Sequence, residues 1–424
     1  MISPRPRISH EIHARFAFVW LIGLCCLLAA CDQDNLTCID PLGCIEIKKD
    51  EPIPLAVLAV LSGDASYLGD EVVGGVEIAL DDQGGGILDH PLKLHLVDSG
   101  CQSDQGRAEL EALLAEQPNL VGLIGPVCTA VAEATLPLVD QAGLVMISPA
   151  NTAVSLTRPP SETGGLWQPG YYRTAPPNTR QAQIAAEFAA QFLSARTAAI
   201  IYADNAQAQA VADAFLRTFR QSGGAVTFQG SIPTGAADLT DLLAGAMSSS
   251  PDVLYLPVME PEGNLIVNAM SRLTDSSDSV LLGGTGLFVP TFPVSVGSSA
   301  VDGMYVVGPA VIGTGADALR AAWQDRFGAA PTGSFYGQAY DAANLLLAAI
   351  EQVAQSGPNG RLLIGRQALR DALTQTAAFP GATGSLTCSP YGDCAAETAV
   401  GVYRLSIAQI NGDTWPPELV WTTE

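Results

Sequence analysis

The residues of this 424-residue chain best placed to do chemistry are small, polar and uncharged, and they follow short apolar runs. Gly125-Pro-Val-Cys-Thr129 lies between the apolar Val121-Gly-Leu-Ile124 and a helical spacing over Val131–Leu138. Where a strand ends and a helix starts in an open α/β sheet, unpaired backbone N–H groups and the helix dipole favour an anion such as a carboxylate. The Thr129 hydroxyl at that switch is set either to donate to a ligand or to cap its own helix. Ser148-Pro-Ala-Asn-Thr152 follows another apolar run, Leu144-Val-Met-Ile147, and is either a second contact loop or an ordinary turn of small polar residues.

The chemistry on offer is binding rather than catalysis. Beyond residue 30 the only histidines are His90 and His95, both on one Gly-rich turn and strand. No GxSxG, HExxH, Walker-type loop or GxGxxG after a strand occurs. Gly283-Gly-Thr-Gly286 has the glycines of a phosphate loop but lacks the lysine such loops use. The reading is a non-enzyme with no cofactor and no metal site.

The first thirty residues read as a targeting signal. Arg5, Arg7 and Arg15, partly offset by Glu11, precede an uncharged, largely apolar run from Phe16 to Ala30. A membrane-spanning helix needs about 20 apolar residues, so this run is short for a span and suits a signal-peptide core. Leu28-Ala29-Ala30-Cys31 resembles the bacterial lipoprotein box, which implies signal removal and lipid attachment at Cys31. Asp32 resembles the inner-membrane retention signal of some bacteria. Residues 31–52 then read as a lipid-anchored tether. The expected location is the cell envelope, on the periplasmic side of a membrane.

The net charge is −23, and residues 1–30 carry three Arg and one Glu, so the remainder is near −25. That acidity disfavours nucleic acid and anionic lipid surfaces as partners. Of nine cysteines, Cys25 and Cys26 lie in the signal and Cys31 is the anchor. Six remain, an even number in an exported chain, which implies disulfides. Proximity favours Cys38–Cys44, Cys101–Cys128 and Cys388–Cys394 among the fifteen possible pairings.

The elements that must position these loops alternate. Leu55–Leu61 is a continuous apolar run, as expected of a strand buried on both faces. Val72, Val73, Val76 and Leu80 recur at helical spacing, and Leu92–Val97 is the next strand. A second set follows Tyr172-Arg173-Thr174, with helices near Gln181–Leu193 and Ala208–Phe219. Its strands are at Ala198–Tyr202, Ala225–Phe228, Val253–Pro257, Ser279–Leu282 and Met304–Val307. Long helices at Tyr336–Val353 and Gly365–Gln375 come last. Strands alternating with helices imply parallel sheets covered on both faces, too much chain for one sheet, hence two doubly wound α/β lobes.

At this point the residues resemble a family. Leu61-Ser-Gly-Asp-Ala-Ser-Tyr-Leu-Gly-Asp70, Gly74-Gly75 and Gly84-Gly85-Gly86-Ile87 are similar to the opening of branched-chain amino-acid (Leu/Ile/Val) binding proteins of ABC transporters. So are Val97-Asp-Ser-Gly-Cys101, Gly125–Thr129, Ile147–Thr152, Tyr172–Thr174 and Tyr340-Asp-Ala-Ala343. The resemblance runs from about Pro52 to about Gly412. It implies a type I periplasmic-binding fold, two lobes joined by three crossovers, with a small polar ligand, an amino acid or related carboxylate or amide, in the cleft. Lobe 1 would hold 53–173 and 308–380, and lobe 2 would hold 174–307 and 381–424. A disulfide at Cys101 and Cys128 is implied as well.

The same resemblance makes Thr129, the backbone at Ala150 and the hydroxyl of Thr152 the grip on a ligand carboxylate. It places Thr285 where the family has an acid for the ligand's ammonium, and Leu68, Gln207 and Met259 where aromatics often sit. Glu260 or Glu262, in the loop after Val253–Pro257, would then supply the missing charge, unless the ligand lacks an ammonium. Tyr67 is the substitute aromatic. The implied partner is an ABC permease; the alternative is a ligand sensor or scaffold presenting the same fold to a membrane receptor or envelope enzyme. Metabolic labelling with a fatty acid is expected to mark the wild type and not Cys31→Ala; equal labelling of both excludes the anchor.

Overall fold

The computed structural model describes residue 1 and residues 36–422, apart from 64, 234, 271–278, 332–334 and 413. The expected signal segment beyond Met1, and Cys31, therefore lie outside the described residues. The strands begin with β1 (Cys44–Ile47), β2 (Ile53–Ala59), β3 (Gly86–Ile87), β4 (His90–Asp98), β5 (Gly122–Ile124), β6 (Met146–Ser148) and β7 (Tyr171–Arg173). Next come β8 (Thr197–Ala203), β9 (Ala225–Ile232), β10 (Val253–Leu256), β11 (Val280–Gly283) and β12 (Tyr305–Pro309). The chain ends with β13 (Gln355–Ser356), β14 (Leu362–Gly365), β15 (Phe379–Pro380), β16 (Ser385–Leu386), β17 (Val400–Arg404) and β18 (Glu418–Thr422).

Two large sheets hold most of these strands, while β1-β14-β13 and β15-β16 form two small ones. The first large sheet has the order β3-β4-β2-β5-β6-β7, and the second β18-β17-β12-β11-β10-β8-β9. The pairings of β2 with β4 and β5, and of β8 with β9 and β10, are parallel. Every residue of β2 is buried, which its unbroken apolar sequence requires of a strand covered by helices on both faces. Each sheet has a separate apolar core on either face. This is the two-lobed, doubly wound α/β arrangement that the alternation of strands and helices implies.

The helix Tyr336–Val353 returns from the end of β12 to cover the first sheet, packing along the helix Ser66–Asp82. A Cβ at Gly75 would collide with the Tyr336 carbonyl oxygen, so glycine sets how closely those helices approach. The chain passes between the sheets after β7, after β12 and before β17. Hydrogen bonds hold these passages to the first lobe. The Thr174 hydroxyl donates to the Gln338 carbonyl at 2.7 Å, and the buried Asp341 carboxylate accepts from Ala382 N and Thr383 N at 2.6 and 2.9 Å.

Two boundaries differ from those read in the sequence. Residues 44–47, assigned to the tether, form β1 against β14, and Ile45 and Ile47 bury into the first core. Four residues of alternation are too few to stand out from a polar stretch. The last passage between sheets falls after residue 394 rather than at 380, because Cys388 and Cys394 pack into the first core. Leu362–Ile364 forms part of β14, where the sequence analysis assigns no element; the helix that it places at Gly365–Gln375 is Arg366–Thr374. The six downstream cysteines join as Cys38–Cys44, Cys101–Cys128 and Cys388–Cys394.

One side chain binds several of these pieces together. The Arg173 guanidinium, with 1% of its side chain exposed, pairs with Asp393 at 2.7 Å. It also donates to Ala153 O at 2.7 Å, to Thr157 Oγ1 at 2.8 Å and to Asn151 O at 3.4 Å. Backbone bonds Arg173 N to Gly392 O and Cys394 N to Arg173 O add the disulfide loop to the edge of β7. Removing one partner of a buried pair leaves charge and acceptors unsatisfied, a loss of about 3–5 kcal/mol. Arg173→Ala is expected to lower unfolding stability by that amount in urea. Arg107→Ala, which removes an exposed pair with Glu111, is expected to cost less than about 1 kcal/mol.

Candidate functional site

The carboxyl ends of parallel strands leave backbone groups unused by the sheet, and a doubly wound lobe gathers its loops there. In the second lobe a cavity of ≈ 230 Å³ opens at those ends. Ala203, Asn205 and Gln207 come from the end of β8 and the helix Ala206–Gln221 that follows. Pro257, Val258 and Met259 extend β10, and Gly284, Thr285 and Gly286 extend β11. Asn178 and Gln181 project from the helix Asn178–Gln191, and Thr152 comes from the first lobe. The cavity thus has walls from both lobes.

Its polar groups are held by neighbours. The Thr285 hydroxyl donates to Gln181 Oε1, while Gln181 Nε2 donates to Pro176 O at 3.1 Å. Asn205 caps its helix by accepting from Ala208 N at 2.9 Å. Tyr255 is buried beneath the cavity and stacks on Phe215 with ring centroids 4.3 Å apart. Burial holds its hydroxyl well above the usual phenol range, so it stays protonated.

The facing loops of the first lobe are locked to one another. Ser148 Oγ donates to Pro126 O at 2.7 Å and accepts from Asn151 N at 2.9 Å. Asn151 Nδ2 donates to Val127 O at 2.9 Å. The Cys101–Cys128 bond joins the loop after β4 to the loop after β5. Closing that stretch of 27 residues removes about 3–4 kcal/mol of unfolded-chain entropy. Gly125 sits at φ +115°, where a Cβ would strike the Leu58 carbonyl oxygen.

The structure separates the residues singled out in the sequence. Thr152 and Thr285 line the cavity, together with Gln207 and Met259. Thr129 opens the helix Thr129–Gln141, with Cys128 in the capping position, so it is not the cap. The Ala150 N–H points to Ser148 Oγ at 3.3 Å. Neither Thr129 nor Ala150 lines the cavity.

Glu260 and Glu262 belong to the first turn of the helix Glu260–Met270 rather than to a loop. Carboxylates are favourable at that dipole end. Glu260 accepts from Thr291 Oγ1 at 2.6 Å and Ser295 Oγ at 2.9 Å. Tyr67, from the first lobe, has its hydroxyl pKa raised by burial and then by the charges of Glu260 and Glu71.

Asn178, Gln181, Asn205 and Tyr255 escape a reading based on motifs. Asn205, directly after an apolar strand and before a helix, carries the same strand-to-helix signal as Thr129.

The sequence model of the periplasmic binding protein family matches residues 52–413. The Leu/Ile/Val-binding protein BraC3 of Rhizobium johnstonii is 26% identical over 348 residues, covering 82% of this chain and 90% of that protein. A leucine binding protein from Thermotoga maritima superposes with a TM-score of 0.70 at 22% identity, over 88% of this chain and 99% of that one. A solute binding protein of an ABC transporter from R. palustris, solved with 4-hydroxybenzoate, gives 0.70 at 18% identity, over 88% and 97%.

The strained approach at Gly125 supplies a test of the first-lobe wall. Gly125→Ala is expected to cost more than about 2 kcal/mol in denaturant unfolding, from left-handed backbone strain plus the collision with Leu58. A loss below 0.5 kcal/mol on the scale of ordinary surface changes would show that the loop relaxes freely.

Proposed function

We propose that this chain, which belongs to the periplasmic binding protein family, captures a small polar solute between its lobes and presents it to an ABC permease. The carrying observation is the cavity at the strand ends of the second lobe, with Thr152 of the first lobe in its wall. A solute there would touch both lobes, so binding favours their closure about the three passages, the hinge mode of such folds. A permease then distinguishes loaded from empty protein by shape.

The family places the protein outside the cytoplasm, and no described helix is long and apolar enough to cross a membrane. The apolar run ending at Cys31 supports a lipid anchor that keeps the binding lobes beside a membrane-bound permease. Thr152, in the cavity wall, and Thr129, at the opening of its helix, remain the first-lobe candidates for a ligand's carboxylate. Relatives whose names record leucine or 4-hydroxybenzoate support a small, partly apolar ligand.

A thermal-shift screen of amino acids, carboxylates and amides tests this reading. A ligand at about 100 times its dissociation constant should add about 2.7 kcal/mol of stability. For a ligand so found, Thr152→Val is expected to weaken binding about tenfold, one charge-assisted hydrogen bond, with the apo melting temperature unchanged. Small-angle scattering should show a smaller radius of gyration with that ligand. A panel without a single stabilising solute overturns the proposal.

A further inference from the structure

Resting on the solute-binding reading, we infer that the solute carries no ammonium group and is recognised at its polar end through neutral amide and hydroxyl contacts. Among the described residues lining the cavity none is charged; its hydrogen-bonding side chains are those of Thr152, Asn178, Gln181, Asn205, Gln207 and Thr285, with Tyr255. An ammonium enclosed there would lose its water without gaining an anion, which is costly for a buried charge.

The acids close in the chain to lining residues, Asp204, Glu260 and Glu262, are all outside the lining, and Glu260 accepts from Thr291 and Ser295.

The neutral groups have a fixed polarity. Gln181 is oriented by Pro176 and its Oε1 accepts a hydrogen bond from the Thr285 hydroxyl, which leaves the Thr285 oxygen as an acceptor toward the cavity. Asn205 spends its oxygen on Ala208 N, which leaves Nδ2 as a donor. Tyr255 stays protonated. Acceptor and donor therefore stand around the apolar side chains of Val211 and Val258. An amide or a hydroxyl, which offers both a donor and an acceptor, complements that pair; an ammonium offers donors only.

Calorimetric titration of the full chain in detergent with matched probes tests the inference. One series is L-leucine, 4-methylpentanoate and 4-methylpentanamide; the other is L-tyrosine, 3-(4-hydroxyphenyl)propanoate and its amide. The expected result is that an acid or amide binds at least tenfold tighter than the amino acid of the same skeleton. Thr285→Asp, which puts an anion into the cavity, should strengthen the amino acid at least tenfold relative to its deaminated acid. An amino acid that binds the wild type as well as its deaminated counterpart overturns the inference and leaves the solute-binding reading standing. Failure of every probe at millimolar concentration, with no stabilisation in the wider screen, overturns both.

Discussion

The buried Arg173 guanidinium is the interaction on which the first lobe's half of the cleft depends. It closes β7, holds the carbonyls of Asn151 and Ala153 on either side of Thr152, and fixes the loop that Cys388 and Cys394 close. A guanidinium suits this position because its five fixed donors can satisfy a carboxylate and several carbonyls at once. Desolvating it is expensive, and the cost is tolerable only because Asp393, Thr157 and the two carbonyls replace the lost water. Thr152 therefore reaches the cavity from a rigid support even though it sits in a loop.

The second lobe solves the same positioning problem with less charge. Apart from Asn178 and Gln181, on a helix, its cavity groups lie in or follow strands β8, β10 and β11, so backbone geometry places them to within a short loop or a helical turn or two. The Thr285–Gln181 bond ties the loop after β11 to a helix more than a hundred residues earlier. Asn205 serves the helix it caps and the cavity at the same time. The two walls thus differ in kind: one is held by a buried ion pair and disulfides, the other by neutral hydrogen bonds. Such a pairing leaves the cavity itself uncharged while the chain as a whole is strongly acidic.

Much of this was legible in the residues because burial on both faces of a parallel strand demands an unbroken apolar run, as in Leu55–Ala59. The helix Tyr336–Val353 was equally plain from its spacing, and its bounds agree with the structure. The short β1 was not, since four residues between polar neighbours carry too little period, and its burial depends on β14 from more than three hundred residues away. The site was legible in part. Thr152 and Thr285 meet in one cavity, whereas Thr129, Ala150, Tyr67, Glu260 and Glu262 stand outside its lining.

What the sequence determined by itself was the alternation of strand and helix, and from it the two-lobed α/β class. That alternation follows from short-range apolar periodicity; the cysteine pairs were only favoured by proximity among fifteen pairings, and the fold joined them. Which polar side chains share a cavity was decided only by the tertiary structure. Asn178, Gln181, Asn205 and Tyr255 have no common motif; Tyr255 lies in β10, Asn205 follows β8, and Asn178 and Gln181 come from the start of the helix after the first passage between sheets. The engagement of Glu260 by Thr291 and Ser295 is likewise a contact across the fold that no spacing announces. Local pattern sets where a chain turns; the packing of distant segments sets what faces what.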